Sequence, residues 1–360
     1  MSSKLLSIIL TANKFLGTAP PLGQKRLIKK IYSLIVVVVL TSGILVSSVS
    51  RSYLKKYTHM KFIISVLSDI IAYAFNCYTI FFITFTKERQ WKNLIKTIKI
   101  KEAENDKTCP YVAFLLLNII FWIIVLCSNY AFTQIVVFKS VPDLIILNIE
   151  MYTQFLFGCL IYVILKMLLS RYCYLNYLLS DYVHNMMRTK SISSDDFIYF
   201  VKRIEHVGYS LKESVDHFNE IFGIPLLLMV SYCTLHFVNY IDDFFFFRFD
   251  SDKFNQFLIS NICLVTMNFV GNCFLIIKCD AVLKEAANVK SFAYKLRKCF
   301  PCVLSKERIE LNEFIDFAVN NFPKFSAGGF FAIQKSTIFS VLSTITTLLI
   351  VMIQFDATKT

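Results

Sequence analysis

The stretch TTLLIVMIQF, Thr346 to Phe355, closes a run of twenty residues from Ser336 that contains no Asp, Glu, Lys or Arg. A helix needs about 20 apolar residues to cross the hydrocarbon of a bilayer, so this run reads as a membrane span. The glutamine is the puzzle. A primary amide in hydrocarbon costs several kcal/mol unless something satisfies it, so Gln354 sits at the membrane edge or faces protein or water. On a helix of about 3.6 residues per turn, Ser336, Ser340, Ser343, Thr347, Val351 and Gln354 share one face. The opposite face carries Ile338, Leu342, Ile345, Leu349 and Met352. Two readings stay open. Hydroxyls in membrane helices can bond their own backbone and pack against a neighbour. Alternatively the stripe lines a pore, where an apolar ring such as Val351 gates by dewetting and an uncharged amide offers carbonyls to cations. One helix cannot enclose a pore, so the second reading requires an oligomer.

The rest of the chain has the same character. Of 360 residues, 56% are hydrophobic and 16% aromatic, with 18% charged, and the mean hydropathy is +0.57. That is too apolar for an ordinary soluble domain. Charges collect between long hydrophobic blocks, and seven blocks are long enough to span: 31–50, 62–84, 111–130, 151–169, 222–240, 257–277 and 336–355. Glu150 stands at the entrance of the fourth and Lys166 near its exit, where the lysine can snorkel toward headgroups.

Lys and Arg distribute unevenly between the spans: 30 of 38 fall on the side that holds the amino terminus. By the positive-inside rule that side is cytoplasmic. An odd number of spans then puts the carboxyl terminus outside. The net charge of +13 is accordingly a topology signal, and no basic stripe of the nucleic-acid-binding kind stands apart from the loops. The early run LLSIIL is too short for a signal-peptide core, and the first span is expected to act as an uncleaved anchor. Asp242, Asp243, Asp250, Asp252 and Asp356 flank the outer ends of the later spans, opposed mainly by Arg248 and Lys253. Such a rim would concentrate cations.

Two cytoplasmic segments exceed what a turn requires. Ser193-Ser194-Asp195-Asp196 offers an N-cap with acids in the first turn. Phe197, Phe200, Ile204, Val207, Leu211, Val215, Phe218 and Phe222 then make one apolar stripe running into span five. A second helix starts near Ser305 and stops before Pro323. An apolar stripe over water needs a partner, either a bundle within one subunit or a surface for assembly with others.

No enzyme signature is present. There is no phosphate-binding glycine loop and no nucleophile elbow. Of the 11 cysteines, six lie inside spans and few outside, which argues against a disulfide framework. The lone CFPC of 299–302 lacks the second ligand pair a zinc site needs, so neither metal nor cofactor is expected.

These residues resemble the insect gustatory receptors. The signature of that family in its last helix is Thr-Tyr, five hydrophobics, then Gln-Phe. Thr347, residues 349–353, Gln354 and Phe355 match in register, while Leu348 replaces the Tyr. FSAGGFF (Phe325–Phe331) is similar to the segment leading into that helix, and HFNEIFGIPLLL (His217–Leu228) to the family's entry into span five. The resemblance implies an all-α, seven-transmembrane, tastant-gated non-selective cation channel of a chemosensory neuron membrane. It implies a tetramer of like or mixed subunits joined by a cytoplasmic anchor. In it Gln354 and Phe355 are gate residues, which Thr347 and Val351 join from the helix-face argument.

The layout implied is a cytoplasmic segment 1–30, spans one to four within 31–169, and a cytoplasmic helical extension 170–221. Spans five and six fall within 222–277, anchor helices within 278–335, the pore span at 336–355 and an outer tail at 356–360. Tastants bind in the family's outer half, between spans two and six. Candidates there are His236, Asn239 and Tyr240, with Asn129, Tyr130, Tyr152, Gln154 and Asn261. Each also fits an interfacial anchor or a packing residue. The leaning is toward an aversive plant compound over a sugar. Partners are then the tastant, sister subunits, lipid and permeating cations, with no nucleic acid. A G-protein-coupled receptor would need the opposite orientation and an Asp-Arg-Tyr-like triad after span three, and a transporter would need broken helices or mid-membrane charge. An obligate co-subunit would share the fold and gate.

Overall fold

A computed structural model of the chain describes residues 2–18, 26–50, 59–98, 110–135, 141–189, 194–246, 252–299 and 305–357. Among the described residues, seven helices are long and apolar enough to cross a membrane, as the hydropathy blocks predict. They lie within α2 (Arg26–Ser50), α3 (His59–Cys77) with its continuation, α6 (Pro110–Ile135), α7 (Val141–Thr189), α8 (Ser194–Phe246), α9 (Asp252–Cys299) and α11 (Ser336–Ala357). Span two continues from α3 through a π-helical turn, Tyr78–Phe82, into α4 (Ile83–Thr86).

Three helices outrun the bilayer. α7, α8 and α9 have 49, 53 and 48 residues, roughly 70–80 Å at 1.5 Å per residue, against a hydrocarbon core of about 30 Å. The sequence separates span four (151–169) from an extension beginning at 170; in the structure α7 runs through that boundary without a break. Leaving the membrane changes which side chains are tolerated, but not whether the backbone stays helical. α8 begins at Ser194 with Asp195 and Asp196 in its first turn, where their charge complements the helix dipole.

The extensions form one core with α10 (Ser305–Asn320). The α8 stripe is buried at Phe197, Ile204, Leu211, Val215, Phe218 and Phe222, and half-buried at Phe200 and Val207. Leu175 and Leu179 of α7, Val282 and Val289 of α9, and Leu311 and Phe314 of α10 share its cluster. Of the two partners left open for this stripe, the chain itself supplies the cover. Polar ties fix the register. Asn176 donates from Nδ2 to the Glu285 carbonyl at 2.8 Å and to Glu285 Oε2 at 2.7 Å, and Lys202 pairs with Glu310 at 2.8 Å across α8 and α10.

Two further helices complete this body. α1 (Ser2–Phe15) buries Leu5, Leu6 and Ile9 in the same core, so LLSIIL is a packing segment. α5 (Glu88–Ile98) is strongly amphipathic and buries Trp91, Leu94, Ile95 and Ile98. The Trp91 ring, fully buried, meets Phe222 edge-on with centroids 5.2 Å apart. Trp91→Ala is therefore expected to cost about 3–5 kcal/mol, as large aromatic truncations in a water-facing core do. A clear drop in the melting temperature of detergent-solubilised protein would show it. An unchanged melting temperature would mean that α5 is not docked.

Candidate functional site

α11 is the last helix and is attached to the bundle along one side only. Ile345 and Met352 are buried in a cluster with Ile64 of α3 and Leu235 and Val238 of α8, with Val341, Leu348 and Leu349 packed at its margin. These positions lie within one half of the helical wheel. The other half is uncovered: Ser336, Ser340, Ser343, Thr347 and Gln354 are exposed and Val351 is half-buried. The stripe singled out in the sequence thus points away from the chain's own bundle.

The exposed side has two flavours. Beside the polar stripe stand Phe339, Ile350 and Ile353, all exposed. Leu342 belongs by the wheel to the apolar face, yet it is 41% exposed, because the α3–α8 cluster covers less than half the helix. Four of the hydroxyls satisfy themselves: Ser340, Thr344, Thr346 and Thr347 each donate to the carbonyl four residues back, Thr347 to Ser343 at 3.0 Å. Gln354 has no such escape, and its amide has no hydrogen-bond partner among the described residues. Phe355 lies in the helix, but its side chain is outside the described residues, as are those of the acidic rim Asp242, Asp243, Asp250, Asp252 and Asp356 and of the CFPC pair.

The outer-half candidates fall into two sets. On α8, His236 stacks on Tyr232 with centroids 5.4 Å apart and planes 11° apart. Asn239 accepts from Ser65 of α3 at 3.5 Å, and Tyr240 is half-buried beside it. The second set lies between α6, α7 and α9. Tyr152 donates to Asn118 Oδ1 at 3.1 Å and joins Phe121, Trp122 and Phe155 in an aromatic cluster. Asn261 accepts from Ser128 at 3.3 Å. Asn129 is half-buried, whereas Tyr130 is 64% exposed on the outside of α6. His236 Nδ1 and Gln154 Nε2 are sealed from solvent without a hydrogen-bond partner among the described residues, an uncommon state for polar atoms in a finished interior. Sequence reading missed Ser65 and the aromatic cluster. Asn118, an amide in the middle of an apolar span, was the signal that could have found the latter.

Seven membrane helices, long extensions gathered into one helical body, and a last helix presenting an uncovered polar face define a multi-pass membrane protein. The chain matches the 7tm Chemosensory receptor family over residues 6–359 and belongs to it; this is a family of receptors, not of enzymes. Among solved structures it is similar to the insect olfactory receptor OR5 from Machilis hrabei in complex with eugenol, with a TM-score of 0.64, 11% identity and 98% of each chain covered. A second structure of the insect olfactory receptor OR5 from Machilis hrabei gives a TM-score of 0.56 at 12% identity, covering 98% of this chain and 97% of that one. At such identities the likeness is one of fold. No curated protein matches the sequence.

The attachment of α11 has a measurable consequence. Met352→Ala opens a void in its seam with α3 and α8 and should cost on the order of 2 kcal/mol, at the low end for core truncations because lipid and not water is the alternative environment. Ser343→Ala, on the uncovered face, should leave thermal stability within about 0.5 kcal/mol. Equal losses for the two would contradict this orientation of the helix.

Proposed function

We propose that this protein is a subunit of a chemically gated, non-selective cation channel of the gustatory type. Copies of α11, from this chain or from sister chains in a tetramer, surround a common water-filled axis. The observation that carries the reading is the uncovered side of α11. Its polar stripe would face water, while the apolar flank of Phe339, Ile350 and Ile353 would be covered by the neighbouring subunit or lipid. Gln354 and Phe355 form the narrow ring at the outer mouth, with Val351 and Thr347 below them. The amino terminus lies in the cytoplasm, supported by the Lys and Arg bias, so the body made by the extensions of α7, α8 and α9 with α10 is the cytoplasmic anchor.

The ligand is a small organic molecule. Tyr152, Phe121, Trp122 and Phe155 offer aromatic faces in one set of candidates, and His236 offers an unmet polar atom beside Tyr232 in the other; aromatic surface with few polar groups suits a flat, sparingly polar compound. That favours an aversive plant metabolite over a sugar, which would need many more hydrogen-bonding groups. The eugenol held by the Machilis hrabei receptor is of the same chemical kind. Gln–Phe at the end of α11 supports a gustatory over an olfactory role. Binding would draw the α11 helices apart and admit Na⁺, K⁺ and Ca²⁺.

The test is expression of the chain in a cell line, with calcium imaging and whole-cell recording against sugars and plant phenolics. Expected are currents evoked by phenolics, altered permeability ratios or basal leak in Gln354→Ala, and a right-shifted dose response in His236→Ala at unchanged permeability. Unaltered currents in Gln354→Ala would remove the gate assignment. Responses to sugars alone would remove the ligand class.

A further inference from the structure

The two stretches His217–Leu228 and Phe325–Phe331, far apart in sequence, lie against each other. The second is a hairpin of β1 (Ser326–Ala327) and β2 (Phe331–Ala332). Gly328 and Gly329 take φ of +59° and +83° at its turn, values that favour residues without a Cβ. Three residues beyond β2, α11 begins. Whatever holds the hairpin therefore holds the root of α11.

Three contacts on consecutive turns of α8 hold it. Asn219 grips the strand backbone on both sides of Phe325: its Nδ2 donates to the Lys324 carbonyl at 2.6 Å, and its Oδ1 accepts from the Ser326 N–H at 3.0 Å. Phe218 meets the Phe325 ring edge-on at 5.2 Å. One turn on, Gly223 lets the hairpin backbone lie directly on α8. A Cβ there would stand 2.9 Å from the Gly328 nitrogen and 3.0 Å from the Ser326 oxygen, and neither atom belongs to a side chain that can swing aside.

The grip sits at a weak point in α8. Pro225, inside the helix, has no N–H, so the Ile221 carbonyl loses its helical partner and bending there is easier. Beyond Pro225 the same helix carries Tyr232, His236 and Asn239. On the far side of the hairpin, the Lys335 N–H reaches Asp280 Oδ1 of α9 at 3.4 Å, a second and longer tether.

We propose that Asn219 and Gly223 are positioning residues that form a mechanical joint, through which movement of the outer half of α8 about Pro225 is passed by the hairpin to α11. What the joint drives rests on the channel reading; how it is held does not. The carboxamide is suited to this because it binds a donor and an acceptor of one strand at once and so fixes the hairpin in register as well as in distance.

Hydrogen exchange on the full chain in lipid nanodiscs tests the joint itself. Asn219→Ala should raise exchange at least tenfold through residues 324–337 and into the first turns of α11, leaving residues 200–215 unchanged. Asn219→Asp keeps the bond from Ser326 and should show a smaller rise. Gly223→Ala is a second, independent variant: alanine favours the helix, so α8 stays protected while the hairpin is pushed off. A rise absent, or confined to residues 324–327, overturns the joint. Recording without any agonist tests the coupling. At matched surface expression, Asn219→Ala and Gly223→Ala should change basal Na⁺ current several-fold with permeability ratios unaltered, because the gate residues are intact. Unchanged basal current in a wild-type-competent channel overturns the coupling while leaving the joint standing. A wild-type chain that passes no current alone or with sister subunits removes the channel reading and the coupling with it; the exchange arm still decides the joint.

Discussion

A membrane helix with one polar side must find something other than lipid for that side to face. α11 meets this constraint only in part within its own subunit. Ile345 and Met352 bury against α3 and α8, while Ser340, Ser343, Thr347 and Gln354 remain uncovered. The Ser340 and Thr347 hydroxyls satisfy themselves on the backbone and would tolerate several surroundings. Gln354 would not. The need for water, headgroups or a partner at that one amide is what the proposed channel reading meets, with several copies of α11 around an axis.

α8 links the parts of that account. Its first turns supply the stripe that the core of the extensions closes over, and its middle carries the grip on the hairpin at Asn219 and Gly223. Beyond Pro225, Asn239 accepts from Ser65 of α3, and His236 stacks on Tyr232. A single continuous helix of 53 residues is stiff over most of its length, and Pro225 places its compliance where the hairpin docks. The α7 and α9 extensions are tied to each other by Asn176 and Glu285, which makes them the frame in the proposed movement of α8 and α11.

Much of this was legible in the sequence, for physical reasons. Hydropathy located the seven spans because an apolar run of that length has few other uses. The Ser194 start and the stop of α10 before Pro323 followed from capping chemistry and from the stiffness of proline. The α8 stripe was visible as a periodicity, but periodicity is silent on which chain covers it. The unity of α7 was hidden because Lys166 and the polar residues after it mark a change of solvent, which a hydropathy reading takes for an end. The docking of Trp91 and the burial of Leu6 and Ile9 were hidden too, since tertiary contacts leave no local period. Most of all, two strands of two residues each are too short for any pattern. The resemblance brought FSAGGFF and HFNEIFGIPLLL to notice separately, and only the fold brought them together. Of the outer-pocket candidates, the polar residues could be named from sequence, but the aromatic wall around Tyr152 required knowing which faces of α6 and α7 meet.

The most direct measurement is a cysteine scan of residues 336–354 in the assembled protein at the cell surface, read by reaction with a charged, membrane-impermeant thiol reagent. The account predicts reactivity recurring every three or four residues, at 340, 343, 347 and 354, with 345 and 352 protected by the bundle and 339, 350 and 353 protected by neighbours or lipid. Silence along the hydroxyl-and-amide positions, with lipid-soluble probes labelling them instead, would contradict it.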